Sequence, residues 1–571
     1  MDHERLDGLR RARGPIPEHV IDEFAAGRIS RREFLRRGTL VGLSLPVLSA
    51  IVAACGSSSS TGPSSSHASS GSSPASSSGA GKSGATIRAG TVVPSSSPNP
   101  LLVNDTGGID LLNQVGEMLV FYDNQGLAHP QLATSWSSNA DATVWTFKVR
   151  PNVKFSDGRP MTVDDVVYSL KTQSDPKNNG NDLSLLGGVL DPAGVVKVDS
   201  QTVACHLSQP YGVFPFAVSS ANYNLIIVPA GTDYTTWPKT FIGTGKFMKE
   251  SFNPTVGANF VRNPHYWGAP AKPAKVEMTF YSDEGPETSA LEGGSIDCVN
   301  QFTVAVSPQL LQGSYNVVSI KSSAHRELSM RNDIAPFTSK YVRQAIALTL
   351  DRPAIVQALF KGQSQLGNDS PFAPSFPQTD HSVPQRHQDL KLARQLLAKG
   401  GAPRGFKTPL YTERLQEMPE FAQIVKQSAA QIGVDISLDI TTTNQYYGQA
   451  VFGKSPWLDG EMSLVDYGSR PVPDLFLEAP LQSINAKTGA GAWNAAHFND
   501  PTYDKLSSEF IAAADLSTQR RLAGQIQRLL LDETPIIYAY FYNYLAASQK
   551  NVHGIYPQAG GQFFLYNVTK S

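Results

Sequence analysis

The eight residues Gly448-Gln-Ala-Val-Phe-Gly453-Lys454-Ser455 have the spacing of a phosphate-binding loop. Just beyond them, Met462-Ser-Leu-Val-Asp466 has the form of the acidic strand that holds magnesium beside such a loop. Taken literally, the two would bind and cleave a nucleotide. A phosphate loop must follow a strand and open a helix, because loop amides and the helix N-terminus together hold the phosphates. Pro456 and Gly460 leave no length for that helix, so nucleotide chemistry is set aside. No Gly-x-Ser-x-Gly elbow and no His-Glu-x-x-His pair occurs. The carboxylates and histidines show no spacing that pairs an acid with a base. With no Cys-x-x-Cys either, the sequence offers no catalytic residue, no metal ligand and no cofactor site. The chain reads as a binder of solutes, with an exported hydrolase as the alternative from another class.

The cysteines divide by position. Cys55 follows Val52-Ala53-Ala54, small residues that suit a signal peptidase, and its thiol is available for acylation. Upstream lie Ser30-Arg31-Arg32-Glu33-Phe34-Leu35-Arg36, the layout of a twin-arginine export signal, and an apolar run over 38–54 interrupted by Pro46. That run is shorter than the ~20 residues a spanning helix needs. The segment resembles the signal and lipobox of bacterial lipoproteins, which implies lipid on Cys55 and anchoring to the outer face of the cell membrane. From Gly56 to Gly84 the chain is almost entirely Ser, Gly, Ala and Pro, the composition of a flexible tether. Cys205 and Cys298 are either a disulfide of an oxidising compartment or two inert buried thiols.

The elements that would position a site follow the tether. A net charge of −1 excludes a nucleic-acid binder, and 40% apolar residues indicate a globular body. Alternation predicts strands over 85–90, 144–149 and 434–440, and an apolar strand follows Pro535. Helical spacing predicts helices over 111–120, 341–350, 353–360, 392–397, 421–432 and 518–532. Thr162, with Asp165 three residues later, should cap a further helix, the hydroxyl accepting from first-turn amides. Gly400-Gly401 and Gly433 stop two of these helices, and helix, Gly, strand is the unit of a mixed sheet.

Leu132-Ala-Thr-Ser-Trp136, Trp145-Thr-Phe, Phe155-Ser-Asp-Gly158 and Asp164-Asp-Val-Val-Tyr168 stand in the order found in one family. Ile242-Gly-Thr-Gly-Lys-Phe247, Arg262-Asn-Pro-His-Tyr-Trp267, Ala290-Leu-Glu-Gly-Gly-Ser-Ile-Asp297, Tyr341-Val-Arg-Gln-Ala345 with Asp351-Arg352, and Asn499-Asp-Pro-Thr-Tyr-Asp504 continue it. Nearly all of 85–571 resembles the large peptide-type (family 5) solute-binding proteins of ABC importers. The resemblance implies an α/β, periplasmic-binding-protein-like fold of two lobes with mixed sheets joined by a hinge, and an extra subdomain in lobe I. The expected divisions are a signal over 1–54, Cys55 and the tether over 55–84, lobe I over 85–328 with a subdomain at about 120–215, lobe II over 329–534, and a return to lobe I over 535–571. The lobes should exchange chain near 323–332 and near 533–537.

In peptide-binding relatives an aspartate of an Asp-Tyr pair receives the peptide's ammonium, which points to Asp466 and Tyr467 as ligand contacts. This chain has Ser463 where those relatives carry tryptophan, so Asp466 is alternatively a strand-end carboxylate or a partner of Arg470. Tyr446, Tyr447, Trp493 and the run from Tyr538 to Tyr544 are read as core. The resemblance implies a monomer that captures peptides and passes them to a membrane permease and its cytoplasmic ATPases. A nickel chelate, a sugar or another small solute, or a sensor role, are the alternatives on the same scaffold.

Overall fold

The structure, a computed structural model, describes residues 84–571 apart from 96, 449 and 486–489. The export signal, Cys55 and the tether up to residue 83 lie outside the described residues.

Two mixed sheets organise the body. The first has seven strands, in the order Asn316–Ile320, Tyr544–Ser548, Cys298–Phe302, Thr86–Val92, Lys275–Tyr281, Gly257–Arg262 and Phe247–Asn253. Thr86–Val92 runs parallel to both of its neighbours and shares a core with Leu111, Leu112 and Phe260, all fully buried. The second sheet has six strands, in the order Ser364–Leu366, Ile536–Tyr542, His325–Met330, Met462–Tyr467, Phe406–Glu413 and Val434–Thr441. Helices Lys340–Ala347, Arg352–Phe360, Leu390–Lys399 and Met418–Ala430 pack on it through Val342, Ile355, Leu397 and Phe421. These helices and the strand Val434–Thr441 match the expected positions to within a few residues.

A subdomain is inserted in the first lobe, built on the antiparallel order Ala133–Ser138, Val144–Val149, Thr202–His206, Val195–Asp199 with the helix Val163–Ser174. Its core, including Phe147, Phe155, Leu170 and Phe214, extends from Leu119 to Ile227, somewhat past the expected end at 215. The start of Val163–Ser174 is a capping box: the Thr162 side chain faces the Asp165 N–H, as expected, and the Asp165 side chain reaches back to Thr162. The Asp165 carboxylate accepts from the Thr162 N–H at 2.6 Å and hydroxyl at 2.9 Å, and from Ala230 N–H at 2.8 Å. The threonine hydroxyl thus donates to the carboxylate while its oxygen faces the first-turn amide. Cys205 lies in this subdomain and Cys298 in the seven-stranded sheet; both are buried free thiols, and burial pushes Cys205 up to about 12.

Two expectations are corrected. The helix expected over 111–120 is Thr106–Val115, capped by Asp105, which accepts from Gly108 N–H at 2.9 Å. Gly107 sits where a Cβ would lie 2.1 Å from the Val92 carbonyl, so the lack of a side chain permits the helix to touch the sheet. The strand Ile536–Tyr542, expected to return to lobe I at 535, belongs to the six-stranded sheet and pairs with His325–Met330. Tyr538 and Tyr540 hold it there by donating to Glu327 at 2.9 Å and Glu417 at 3.0 Å. The chain therefore crosses between lobes at 321–324 and at Asn543.

Candidate functional site

Between the sheets lies a cavity of about 630 Å³. The first lobe walls it with 104–106, the turn 122–126, 220–224 and the loop 558–562; the second contributes 375–377 and 468–471. The crossing segment 320–323 and Tyr544 close its back. Amide and hydroxyl side chains predominate, among them Asn104, Asn124, Asn222, Gln558 and Ser469. Such a wall offers both donors and acceptors to a polar ligand, and Tyr122, Tyr223 and Tyr544 add aromatic faces.

The lobes also meet on the rim away from the crossings. Gly212 of the subdomain donates its N–H to Ile511 of the second lobe at 3.2 Å, and Val472 of the second lobe joins the subdomain core. Tyr211 and Asp474 interact across the same seam. Burial, reinforced by Glu478, raises the Asp474 carboxyl to about 7, and the bond from Tyr211 acts against that rise.

Neither Asp466 nor Tyr467 is among the residues lining the cavity. Tyr467 is buried, stacked 5.5 Å from His325 and packed edge-on against Phe476, so the contact expected of it is replaced by a core role. Asp466 retains 29% exposure and is ion-paired with Arg326, its cross-strand neighbour. Arg326 is wholly buried and also reaches Glu417 at 3.0 Å and Gln416 at 2.8 Å, under the ring of Tyr542. Burial works against its charge, but the carboxylates of Asp466 and Glu417 more than offset this and hold the guanidinium above its ordinary range. Tyr544, which lines the cavity, has its phenol raised first by burial and then by the charge of Asp466. Tyr446 and Tyr447 are turned inward, donating to the Leu464 carbonyl at 2.9 Å and to Glu413 at 2.8 Å.

The phosphate-loop spacing has a different structural use. It follows the short helix Thr443–Tyr447, and its Gly453 and Ser455 amides donate to the Asp459 carboxylate at 2.8 and 3.1 Å. A carboxylate of the chain takes amides that a phosphate would need. Among the described residues no group of three or more His, Cys, Asp or Glu is placed to hold a metal.

The residues that do form the cavity went unrecognised in the sequence. Ser220-Ala-Asn-Tyr-Asn224 and 558–562 read only as polar loops, which is a weak signal. Several of the motif blocks instead pack on one another. Ser156 donates its N–H to the Gly243 carbonyl at 2.9 Å, joining two blocks, and Tyr266 and Trp267 of a third donate to Glu117, outside the blocks, each at 2.9 Å.

The model of the bacterial extracellular solute-binding proteins, family 5 Middle, matches residues 128–483. The dipeptide-binding protein DppE of Bacillus subtilis is 25% identical over 81% of this chain and 87% of its own length. Among solved structures, HbpA2 from Haemophilus parasuis superposes with a TM-score of 0.75 at 24% identity, covering 85% of this chain and 100% of its own. DppA from Helicobacter pylori, an ABC transporter-associated periplasmic binding protein in complex with the peptide STSA, gives 0.68 at 20% identity over 86% and 98%. The likeness to these two is one of fold: two lobes built on mixed sheets. With the family model covering more than half of its length, the chain belongs to the bacterial extracellular solute-binding proteins of family 5.

Proposed function

We propose that the cleft captures short peptides outside the cytoplasm and that the chain delivers them to an ABC permease driven by cytoplasmic ATPases. The observation that carries this reading is the cavity of about 630 Å³ between two lobes, walled by amide and hydroxyl groups. An extended peptide presents its own N–H and C=O groups along its length, so such a wall binds backbone and tolerates many side chains. The relationship to DppE supports the same ligand class. Binding is the whole activity in this reading; the protein acts as a monomer and performs no covalent step. Calorimetry of the purified full chain with di- to pentapeptides, each also as its N-acetyl form, tests it. Saturable binding with the peptide recovered intact is expected. Binding only of a nickel chelate or a sugar would replace the peptide, and cleaved peptide would establish the hydrolase. Weaker binding of the N-acetyl forms is the result that keeps Asp466 as an ammonium partner; equal affinity removes it.

The twin-arginine signal and Cys55 support export in folded form and lipid anchoring on the outer face of the membrane. No helix among the described residues is long and apolar enough to cross a membrane. Tethering keeps the receptor near its permease at high effective concentration. Cys55→Ala is therefore expected to release the protein from the membrane fraction and lower peptide uptake by cells, with affinity in solution unchanged. A loss of affinity in that variant would show that anchor and body are not independent.

A further inference from the structure

The charged groups that line the cavity are two carboxylates and two cations, and they differ in how they are engaged. Asp105 spends one oxygen on Gly108 N–H at 2.9 Å and the other on the Ser95 hydroxyl at 2.8 Å. Asp123 accepts from Gln125 and Leu127 N–H, each at 2.9 Å, and its second oxygen meets His129 at 2.8 Å. Both carboxylates are thus occupied in shaping the wall. Arg470 makes no ion pair among the described residues; its guanidinium donates only to the neighbouring Ser469 carbonyl, at 3.1 Å. Lys321, exposed on the crossing segment, likewise has no carboxylate partner among the described residues.

Arg470 is held in place through its backbone. Its N–H donates to the Ser323 hydroxyl at 2.8 Å, and that hydroxyl donates back to the Arg470 carbonyl at 2.6 Å. The loop 468–471 of the second lobe is thereby fastened to the crossing segment, and the arginine stands where both lobes adjoin the cavity. Its charge reaches Tyr223 on the opposite wall, where burial raises the phenol and Arg470 counteracts the rise. The aspartate considered as its partner, Asp466, is already paired with Arg326.

We propose that Arg470, assisted by Lys321, is the anion receptor of the cleft and that the ligand carries a carboxylate which it binds. A planar guanidinium with free N–H groups fits a carboxylate through two parallel bonds, and the half-buried setting strengthens them relative to water. The carboxylate belongs either to a peptide C-terminus or to an acidic side chain. This inference rests on the cleft being the ligand site and deepens the peptide reading by assigning the sign of the ligand's charge.

The test is competitive retention by the full chain, read by mass spectrometry. The probes are tri- to pentapeptides with neutral side chains, as free acids and as C-terminal amides, the same amides bearing one glutamate, and simple non-peptide carboxylic acids with their methyl esters. Wild type is expected to retain acids over neutral amides or esters by about tenfold. Arg470→Gln should abolish that preference and Arg470→Lys should restore part of it. Retention of free acids alone assigns the C-terminus; equal retention of glutamate-bearing amides assigns any carboxylate. Retention of non-peptide acids without peptides would keep the role of Arg470 and overturn the peptide reading. Equal retention of acids and neutral forms, an undiminished preference in Arg470→Gln, or retention of no acid at all would overturn the anion receptor.

Discussion

Arg326→Leu is expected to destabilise the second lobe by about 3–5 kcal/mol, chiefly the cost of stranding the buried Glu417 carboxylate after its cation is removed. Arg326 is fully buried and stands between Glu417, itself buried, and Asp466. Leucine fills much of the space and neutralises none of these charges. Glu417 would retain the Tyr540 hydroxyl at 3.0 Å, which is too little for an ionised group in that setting. Denaturant unfolding of the unliganded protein measures the loss. Adding Asp466→Asn to Arg326→Leu should recover part of it, because the double variant has one fewer unpaired charge. An Arg326→Leu midpoint equal to wild type would mean that the lobe relaxes enough to hydrate both carboxylates.

Gly212→Val is expected to weaken ligand binding by about thirty- to a hundredfold with little change in folding stability. The glycine touches the other lobe at the seam, and a Cβ there would lie 2.1 Å from the Ala513 carbonyl and 2.8 Å from the Ala514 Cα. Those are backbone atoms, which cannot swing aside as a side chain does. The atoms nearest to that Cβ all belong to the other lobe, so the strain falls first on the contact between the lobes. A penalty on the binding-competent state subtracts directly from apparent affinity, by about 2–3 kcal/mol for an overpacked contact of this kind. Calorimetry should show the lost affinity, and solution scattering should show a more open particle at saturating ligand. A lowered unfolding midpoint with unaltered affinity would place Gly212 in the folding core of the subdomain instead.

Local patterns were legible where their cause is local. Strict alternation marks Val144–Val149 and Val434–Thr441, and helical spacing marks Arg352–Phe360, whose cap Asp351 accepts from Ala354 N–H at 3.1 Å. The motif blocks carried the fold class because several of them hold the first lobe together, as Glu117 with Tyr266 and Trp267 illustrates. What depends on distant partners was not legible. The helix beginning at Thr106 needs Gly107 against Val92, a contact that an isolated Gly-Gly pair does not announce. The apolar run Ile536–Tyr542 is plainly a strand, yet its choice of sheet is set by Glu327 and Glu417, far away in sequence. Asp466 was placed correctly at the end of a strand, but its partner is Arg326, 140 residues earlier on the neighbouring strand. The cavity itself is assembled from loops, whose composition says that they turn and not what they face.

The two crossings run side by side. Asn316–Ile320 pairs antiparallel with Tyr544–Ser548 in one sheet, and the same two chain segments continue as His325–Met330 and Ile536–Tyr542, paired in the other. Tyr542 N–H donates to the Ala324 carbonyl at 3.0 Å between the sheets, so the pairing is maintained through the junction. Such a two-ply strip bends readily across its width, while stretching and shearing would break the bonds along it. Opening and closing are then confined to nearly one angular coordinate. A single pair of labels, one on each lobe far from the strip, is sufficient to follow the complete motion in solution.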